Sequence, residues 1–386
     1  MKTENSVGQQ VEVSIVFPCL NEERTIGRCV ETAQKVLIQH GIKGEIVVSD
    51  NGSTDNSRGI AKSLGVKVVS EPRKGYGHAY LMGLAASSGK YIITSDSDES
   101  YDMRDMYKLV LELREGADFV IGNRFKGGIE KGAMPLLHKY FGNPIMSWLV
   151  KLFFKTDVSD VQSGMRGFTR EAYKKMDLRS TGFELATEFV VKTALLNLKM
   201  KEVPIRLCKD GRDRKPHLRS WIDGWRNLRF MLMYSPDYTF LAPGSFFMIT
   251  GMLLMLLLLK GPLRIGMIQI DYHLMILGSV LSILGFQILN LGIFAKSYVF
   301  TENLHTGDKW IEKFLRRFKL ENWLIVGISC VISGSAVVGF IIFKWLNQDF
   351  TIFAVRPAIL ALTLIVIGTQ IIFSSLIVSM FLIPKR

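Results

Sequence analysis

Cysteine is scarce in this sequence, and its few cysteines lack the spacing of a metal or redox site. The chain has 386 residues and four of them are cysteines: Cys19, Cys29, Cys208 and Cys330. No pair shows the short interval of zinc ligands or of a C-x-x-C motif, and four are too few for a disulfide framework in a chain this long. We therefore predict reduced, structural cysteines and exclude a disulfide-stabilised fold.

The sequence also lacks the motifs of nucleic-acid-binding proteins, although its formal net charge is +13. There is no helix-turn-helix pattern, no zinc-ligand spacing and no ribonucleoprotein motif. Positive charge in a chain with long apolar segments is more simply explained by anionic lipid or phosphorylated substrates. We predict a membrane partner and no nucleic-acid partner.

Long apolar runs are missing from the first 240 residues and frequent after them. Residues 1–10 are polar, which predicts that there is no signal peptide. Four later segments reach the length of about 20 residues that a membrane span needs, at about 241–259, 273–295, 323–346 and 358–383. We predict three parts, namely a cytosolic domain (1–219), an amphipathic juxtamembrane segment (220–240) and a membrane domain (241–386).

Lysine and arginine are distributed unevenly between the loops that join these spans. The 296–322 loop carries six of them, whereas the loops on the other side carry two and one. The positive-inside rule therefore predicts that this loop, the amino-terminal domain and the carboxyl terminus are cytoplasmic. Few polar residues lie inside the spans, so we expect an anchor rather than a conducting path, and a homo-oligomer interface remains open.

Apolar β-prone runs alternate with helical segments through the first 125 residues. The predicted strands are residues 11–17, 45–49, 66–70, 91–95 and 119–122. This order predicts an α/β fold with a doubly wound parallel sheet. Because parallel strands present their carboxyl ends at one edge, we expect the loops that follow the first four strands to line one crevice.

A dinucleotide-binding fingerprint is absent from the first strand-helix turn. That turn reads Pro-Cys-Leu-Asn-Glu-Glu, and the G-x-G at Gly75 and Gly77 comes in the third turn, with Tyr80 in place of the last glycine. These departures from G-x-G-x-x-G exclude a nicotinamide cofactor.

What the sequence does contain is a pair of carboxylates, Asp96 and Asp98, directly after an apolar strand. Two residues apart in an extended chain, they lie on the same side and repel each other unless a cation lies between them. Carboxylate oxygens suit Mg²⁺ or Mn²⁺ together with phosphate oxygens. We predict a metal-diphosphate site; the alternative is that the two residues end a strand and cap the next helix.

Several motifs in order resemble those of inverting family-two glycosyltransferases, and within them the polyprenyl-phosphate group that includes dolichol-phosphate mannose and glucose synthases. The resemblance covers about residues 11–240 and implies a GT-A-like, Rossmann-related fold. The motifs are Pro18-x-x-Asn21-Glu22, Asp50-Asn51-Gly52-Ser53-Thr54-Asp55, Arg73-Lys74-Gly75-Tyr76-Gly77, Asp96-Ser97-Asp98, Gly122-Asn123-Arg124 and Asp160-Val161-Gln162-Ser163-Gly164-Met165-Arg166.

The resemblance implies a set of residues that bind the nucleotide sugar. They are Pro18, Asn21, Glu22, Asp50, Asn51, Lys74, Asp96, Arg212 and Lys215, the last two in a basic loop that resembles a closing loop over the diphosphate. Simpler alternatives are a helix cap for Asn21, an Asx-turn for Asp50 and a solvated charge run for the basic loop.

The resemblance also implies that Asp96 and Asp98 hold the metal, with Asp98 as the primary ligand. Several relatives have a glutamine ligand two residues after the second aspartate, where this chain has Ser100. That departure leaves Glu99 or water as the third ligand.

The acceptor side is implied to be a lipid phosphate bound by cations. A phosphate monoester is already anionic at pH 7, so it needs no strong base. We predict that Arg124 is catalytic and that Arg124, Ser163, Arg166 and His138 bind the acceptor phosphate; the alternatives are solvated or paired arginines and a structural histidine. Glu184 and Glu188 are expected to orient the sugar, to pair with Arg124 or Arg166, or to be surface charges.

Two segments, residues 136–154 and 221–234, mix aromatic with basic residues as helices at a membrane surface do. The resemblance thus implies a hexosyltransferase acting from UDP-glucose or GDP-mannose on dolichyl or undecaprenyl phosphate, with inversion, at the cytoplasmic leaflet. One alternative is a processive polysaccharide synthase, whose Q-x-x-R-W motif is missing. Another is a non-catalytic membrane transport partner with a degenerate domain.

Overall fold

The computed structural model describes residues 11–212, 220–265, 268–301, 309–347 and 354–382. The contacts of the chain divide it into two compact units that meet between Tyr234 and Ser235. The predicted position Lys215 and the carboxyl-terminal residues 383–386 lie outside the described residues.

The first unit alternates strands and helices. Its strands are β1 (Val13–Cys19), β2 (Gly44–Asp50), β3 (Lys67–Ser70), β4 (Tyr91–Thr94), β5 (Phe119–Asn123), β6 (Arg166–Thr169) and β7 (Met200–Pro204). Its helices are α1 (Ile26–Gln39), α2 (Ser57–Ser63), α3 (Tyr76–Ala86), α4 (Met106–Arg114), α5 (Arg124–Gly127), α6 (Asn143–Phe154), α7 (Arg170–Met176), α8 (Leu185–Leu195) and α9 (Ser220–Tyr234).

The seven strands form one sheet in the order β3-β2-β1-β4-β6-β5-β7. All neighbours are parallel except β6, which runs antiparallel to β4 and to β5. The predicted doubly wound sheet is confirmed, and β6 is an addition that its short Arg-Gly-Phe-Thr sequence did not reveal. Its first residue, Arg166, pairs with Thr94 at the carboxyl end of β4, so the reversed strand brings this arginine to the edge where ligands bind.

Alternate residues of the central strands enter two apolar layers, one on each face of the sheet. Ile15 and Ile93 pack on one face with residues of α1 and α4, and their neighbours Val16 and Ile92 pack on the other with residues of α3 and α8. This period of two in continuous apolar strands is typical of a sheet covered on both sides. The sheet is therefore a rigid support for the loops at its edge.

The helical segment that leads into α6 contains a π-helical turn just before Pro144. This turn, His138–Gly142, precedes α6. Pro144 has no N–H to donate four residues back, which favours this irregularity. Helix α6 and helix α9 leave large apolar side chains exposed, among them Trp148 (58%), Trp221 (85%) and Trp225 (59%).

The second unit contains α10 (Ala242–Leu258), the hairpin strands β8 (Leu263–Ile265) and β9 (Ile268–Ile270), and the helices α11 (Tyr272–Thr301), α12 (Lys309–Arg317), α13 (Leu320–Asn347) and α14 (Val355–Phe381). Four helical stretches, Asp237–Leu258, Tyr272–Tyr298, Leu320–Asn347 and Val355–Phe381, are long and apolar enough to cross a membrane, which confirms the predicted number of membrane helices. Helices α10 and α11 approach closely, because a Cβ at Gly251 would lie 2.4 Å from the carbonyl oxygen of Gly278. Small residues at such crossings are typical of membrane helix pairs.

Contacts near the helix ends show how the chain passes through this unit. Asp237, before α10, forms an ion pair of 2.5 Å with Lys296, near the end of α11. Tyr298 contacts Phe381 at the end of α14, with ring centroids 6.4 Å apart. The first membrane helix therefore begins at the same end of the bundle at which the last one finishes, as an even number of spans requires.

Candidate active site

The paired carboxylates lie beyond the carboxyl end of β4, inside the first unit. Asp96 Oδ1 accepts hydrogen bonds from the hydroxyls of Tyr76 at 3.3 Å and Tyr80 at 3.2 Å. Enclosure by the protein and the neighbouring charge of Asp98 raise the pKa of Asp96 above its ordinary value. Tyr76 is the first residue of α3 and Tyr80 follows one turn later. Neither tyrosine was assigned this role from the sequence. The only signal was that Tyr76 belongs to the motif at the start of α3 and that Tyr80 follows it closely.

Asp98 is buried, and each of its oxygens has a partner. Oδ1 accepts from the backbone N–H of Ser100 at 3.0 Å and from its hydroxyl at 2.5 Å. Oδ2 lies 2.7 Å from Nη2 of Arg212. Ser100, which replaces the glutamine of several relatives, thus orients the carboxylate.

The alternative in which the pair caps the next helix is wrong. The short helical turn Met103–Asp105 is capped by Asp102, whose side chain accepts from the N–H of Arg104. Glu99, one candidate for a third ligand, has a positive φ of 63° and forms an ion pair of 2.6 Å with Arg28. Its carboxylate is therefore already committed to Arg28.

The donor set of the two aspartates suits a hard divalent cation. Among the described residues there is no cluster of three or more His, Cys, Asp or Glu side chains of the kind that encloses a metal. A cation held by Asp96 and Asp98 would complete its coordination with water and diphosphate oxygens, which is how Mg²⁺ is usually bound. The guanidinium of Arg212 on Asp98 Oδ2 shows that this oxygen attracts a positive group.

The end of β1 and the loop after it supply three of the predicted donor-binding residues. The carbonyl of Pro18, in β1, accepts from the hydroxyl of Ser97 at 2.6 Å, which ties the end of this strand to the aspartate loop. Glu22 is buried and faces Arg212. Asn21 does not cap α1: the residue before the helix is Thr25, and Asn21 has a positive φ of 56°. Its Oδ1 accepts from the N–H of Thr54 instead, at 2.8 Å.

The loops after β2 and β3 are joined by side chains. Asp50 accepts from the N–H groups of Gly52 and Ser53, the Asx-turn pattern expected as its alternative. Asn51 donates to the carbonyls of Glu71 and Arg73 and accepts from Gly75 N–H, so it shapes the third loop. Lys74 is exposed on that loop.

On the acceptor side, Arg124 is buried and bound to a carboxylate. Its Nε and Nη2 donate to Asp160 at 2.8 and 2.6 Å, and its backbone N–H donates at 2.9 Å. The N–H of Asp160 in turn donates to Glu202 at 3.2 Å, and the Ser159 N–H donates to it at 2.6 Å. Because Nε and Nη2 are bound to Asp160, Arg124 would donate to a phosphate only through Nη1, unless the side chain first left Asp160.

Asp160 and Glu202 were not assigned roles from sequence. Asp160 stands in the D-x-x-S-G-x-R motif, which was a usable signal. Glu202 had none, because an acidic residue in the edge strand β7 resembles an ordinary surface charge. Its carboxylate holds the 159–160 segment against the sheet and so supports the Arg124–Asp160 pair.

Arg166 and Ser163 have polar atoms that are buried without a partner. Arg166 is 1% exposed; its Nη2 donates to the carbonyl of Val161 at 3.4 Å, while Nε and Nη1 have no hydrogen-bond partner among the described residues. The guanidinium lies 5.2 Å from the ring centroid of Phe189. The hydroxyl of Ser163 is also buried and unbonded. Buried donor groups without a hydrogen-bond partner are costly, and an anionic ligand that accepts from them would remove this cost.

His138 and the two glutamates complete the predicted set. Partial burial, and then the positive charge of Arg124, lower the pKa of His138, so the histidine belongs to the Arg124 side of the crevice. Glu188 is buried; it pairs with Lys192 at 2.7 Å and accepts from the N–H groups of Arg179 and Ser180. Its predicted roles as a surface charge or as a partner of Arg124 or Arg166 are wrong. Glu184 accepts from the N–H of Gly182.

Gly164 gives a direct test of how closely Asp96 is positioned. A Cβ here would lie 2.4 Å from Asp96 Oδ2 and 3.1 Å from Tyr101 Cε2. We expect Gly164→Ala to displace the carboxylate and to lower kcat/KM about 10²-fold, as a misplacement of about 1 Å can. Enzyme kinetics on the full chain measure this.

Gly224→Ala is the control, because its Cβ would meet only the methyl of Met146 at 3.9 Å. That variant is expected to keep wild-type kinetics and to melt no lower than the wild type, since alanine favours the helix at this position. If Gly164→Ala and Gly224→Ala had the same kcat/KM, the close contact between Gly164 and Asp96 would not matter for catalysis.

Comparisons with known proteins identify the kind of chain. The model of glycosyl transferase family 2 matches residues 14–177, and the model of the family 2 C-terminal transmembrane region matches residues 293–382. The low-salt glycan biosynthesis hexosyltransferase Agl6 of Haloferax volcanii is 37% identical over 366 residues, 94% of this chain and 87% of that protein. A dolichyl-phosphate hexose transferase of the same organism is 30% identical over 195 residues, 50% of this chain and 82% of that protein.

Among solved structures, the comparison found glucosyl-3-phosphoglycerate synthase from Mycobacterium tuberculosis in complex with Mn²⁺, uridine diphosphate and glucosyl-3-phosphoglycerate. It is 22% identical, with a TM-score of 0.47, and the match covers 58% of this chain and 80% of that one.

The two family models and the relative Agl6 confirm the predicted family and the prediction of an enzyme. The relative that matches 94% of the chain extends the likeness through the membrane helices. The chain belongs to glycosyl transferase family 2, as an integral membrane glycosyltransferase with the family's C-terminal transmembrane region.

Proposed function

We propose that this enzyme transfers a hexose, glucose or mannose, from UDP-glucose or GDP-mannose to a polyprenyl phosphate such as dolichyl or undecaprenyl phosphate. The single observation that supports it most is the buried, unpartnered pair of Arg166 and Ser163 in the crevice of the carboxylate pair. Two relatives are named as a hexosyltransferase and a dolichyl-phosphate hexose transferase, which supports the sugar and the acceptor class.

The acceptor phosphate needs positioning more than activation. It is anionic at pH 7, and its oxygen attacks the anomeric carbon as the bond from that carbon to the diphosphate oxygen breaks, with inversion. Arg166 and Ser163 supply three unsatisfied donors, Nε, Nη1 and the hydroxyl, for the phosphate oxygens. Arg124 and His138 belong to the same side; their contact with the phosphate remains a prediction.

The donor side is proposed to be metal-dependent. Mg²⁺ or Mn²⁺ held by Asp96 and Asp98 would neutralise the charge that develops on the leaving nucleoside diphosphate. Tyr76 and Tyr80 hold Asp96, and Ser100 holds Asp98, so the two carboxylates keep their directions without help from the ligand. Pro18 and Asp50, near the carboxyl ends of β1 and β2, and Glu22, in the loop after β1, are proposed to bind the nucleotide.

The membrane is proposed to bring the lipid to the enzyme. The exposed tryptophans of α6 and α9 suit helices that lie at a bilayer surface. Helix α12 places exposed Lys313, Arg316 and Arg317 at the end of the bundle where the last helix finishes, because its Ile311 and Leu315 pack with Val378. From the positive-inside rule we infer that this end of the bundle is cytoplasmic. The proposal then places three parts of the chain on the cytoplasmic side: the catalytic domain of residues 1–219, the juxtamembrane segment 220–240 and the carboxyl terminus of the membrane domain 241–386.

A transfer assay tests the function. The full chain is placed in lipid nanodiscs with polyprenyl phosphate and supplied with radiolabelled UDP-glucose or GDP-mannose. We expect label in the organic-soluble lipid fraction only when polyprenyl phosphate and Mg²⁺ or Mn²⁺ are both present, and its loss with a chelator.

The same assay separates the alternatives. Polyprenol without phosphate is the control acceptor and should remain unlabelled. Label in a polymer that no longer extracts with lipid would instead identify a processive polysaccharide synthase. Membership of the glycosyltransferase family already sets aside the non-catalytic transport partner.

A further inference from the structure

Arg212 joins two carboxylates that come from different loops. Its Nη2 lies 2.7 Å from Asp98 Oδ2, and its Nε lies 2.9 Å from Oε1 of Glu22. The guanidinium is largely buried, with 15% of the side chain exposed. The neighbouring N–H of Gly211 donates to the carbonyl of Asp98 at 3.0 Å, so backbone and side chain both attach this segment to the aspartate loop.

The place that Arg212 occupies is the one the metal needs. Asp98 Oδ1 is already taken by Ser100, which leaves Oδ2 as the carboxylate oxygen that faces a cation. A divalent ion bonds such an oxygen at about 2.1 Å. With the guanidinium kept on the same oxygen, two positive groups would be about 4 Å apart and would repel each other strongly in a partly dry site.

The site also needs a cation before any ligand arrives. Glu22, Asp96 and Asp98 bring three carboxylates to one crevice. Neighbouring negative charges repel each other unless a positive group lies between them. Of the cationic side chains in the described ranges, Arg212 is the one that pairs with both Glu22 and Asp98. It therefore stabilises the crevice in the form that has no donor.

We propose that Arg212 is the resident cation of the donor-free site, that it competes with the divalent ion for Asp98 Oδ2, and that it releases this oxygen when the metal nucleotide binds. It then becomes a ligand of the diphosphate, whose oxygens replace the carboxylate. This inference rests on the metal-diphosphate chemistry of the proposed function and makes Arg212 a positioning residue for the metal.

If Arg212 competes with the metal, removing it should change the Mn²⁺ Kd in opposite directions in the absence and in the presence of nucleotide. Free Mn²⁺ is followed by electron paramagnetic resonance as it titrates the full chain in detergent, first alone and then with saturating UDP or GDP. For Arg212→Gln we expect the Mn²⁺ Kd to fall about tenfold without nucleotide, because the competitor is gone, and to rise about tenfold with nucleotide, because a diphosphate ligand is lost.

Two further variants isolate the cause. Arg212→Lys keeps the positive charge and should bind Mn²⁺ like the wild type within about twofold in both titrations. Arg104→Gln is the matched control, since Arg104 pairs with Asp102, which is not one of the predicted metal ligands, and its side chain is 77% exposed. Its removal takes away the same charge without freeing Asp98, and neither titration should change.

A purely structural arginine gives a different result. Arg212→Gln would then weaken Mn²⁺ binding in both titrations, or leave the nucleotide-free value unchanged, and either outcome overturns the proposal. Failure of the proposed function is seen elsewhere, as absence of sugar transfer to lipid phosphate in the wild type. Even if the wild type transfers no sugar to lipid phosphate, Arg212→Gln can still shift the Mn²⁺ Kd in opposite directions without and with nucleotide. The two failures are therefore distinguishable.

Discussion

Asp98→Asn is expected to abolish sugar transfer while leaving the fold intact. The amide keeps the size of the side chain and one oxygen that can accept from Ser100, but it removes the negative charge at Oδ2. Metal-assisted charge stabilisation contributes several kcal/mol to a transition state, and a loss of about 4 kcal/mol corresponds to about 10³-fold in rate. The measurement is kcat/KM of the full chain in nanodiscs, with a thermal melt for stability.

The control for this variant is a nearby aspartate with a local structural role. Asp102→Asn removes the same charge from a residue that caps the turn Met103–Asp105 and pairs with Arg104. Its kcat/KM should stay within about threefold of the wild type, since a surface pair of this kind contributes little. If Asp98→Asn retained more than a tenth of wild-type activity, Asp98 would not be the primary ligand.

Asp160→Ala is expected to give the largest loss of stability. The substitution leaves Arg124 buried without a partner, because its Nε and Nη2 both depend on Asp160. Removing one member of a buried ion pair costs about 3–5 kcal/mol, and for a unit of this size that lowers the melting temperature by about 10 °C. Thermal melts of the full chain in detergent, followed by intrinsic fluorescence, measure the shift.

A double variant shows whether the charge is the cause. Arg124→Leu together with Asp160→Leu removes both charges and should recover most of the lost stability, as replacement of buried ion pairs by apolar residues often does. Glu12→Gln breaks the exposed pair with Arg114 and should change the melting temperature little. If Asp160→Ala melted no lower than Glu12→Gln, the buried pair would have no special structural weight.

The commitment of Arg124 to Asp160 also affects how the two arginines are interpreted. From sequence, both follow motif positions and both suit a phosphate equally well. In the fold, Arg124 has a carboxylate partner at 2.6 Å, whereas Arg166 has two nitrogens without any. Of the two, Arg166 is therefore the better prepared to bind an anion, and Arg124 orders the loop beside it.

Features with a local or periodic cause could be predicted from the sequence. Apolar strands and helices alternate along the first unit because each element buries a face of its own, and four spans follow from length and hydropathy alone. Motifs at the carboxyl ends of strands predicted one crevice, because parallel strands end at a common edge. Strand β6 was not predicted, because its four residues include an arginine and a glycine and show no apolar periodicity.

What the sequence by itself determined is therefore the fold class, the membrane region, the family and the loops that carry the chemistry. The tertiary structure decided which charges meet: Arg212 with Glu22 and Asp98, Arg124 with Asp160, and Glu188 with Lys192. It also left Arg166 without a hydrogen-bonded carboxylate among the described residues. Except for Glu188 and Lys192, which are four residues apart, these pairings join segments that are distant in the chain, and burial makes each of them strong or costly. The sequence of a single segment does not reveal which distant charges will pair or how deeply a pair will be buried, because both the pairing and the burial depend on how the loops pack over the sheet.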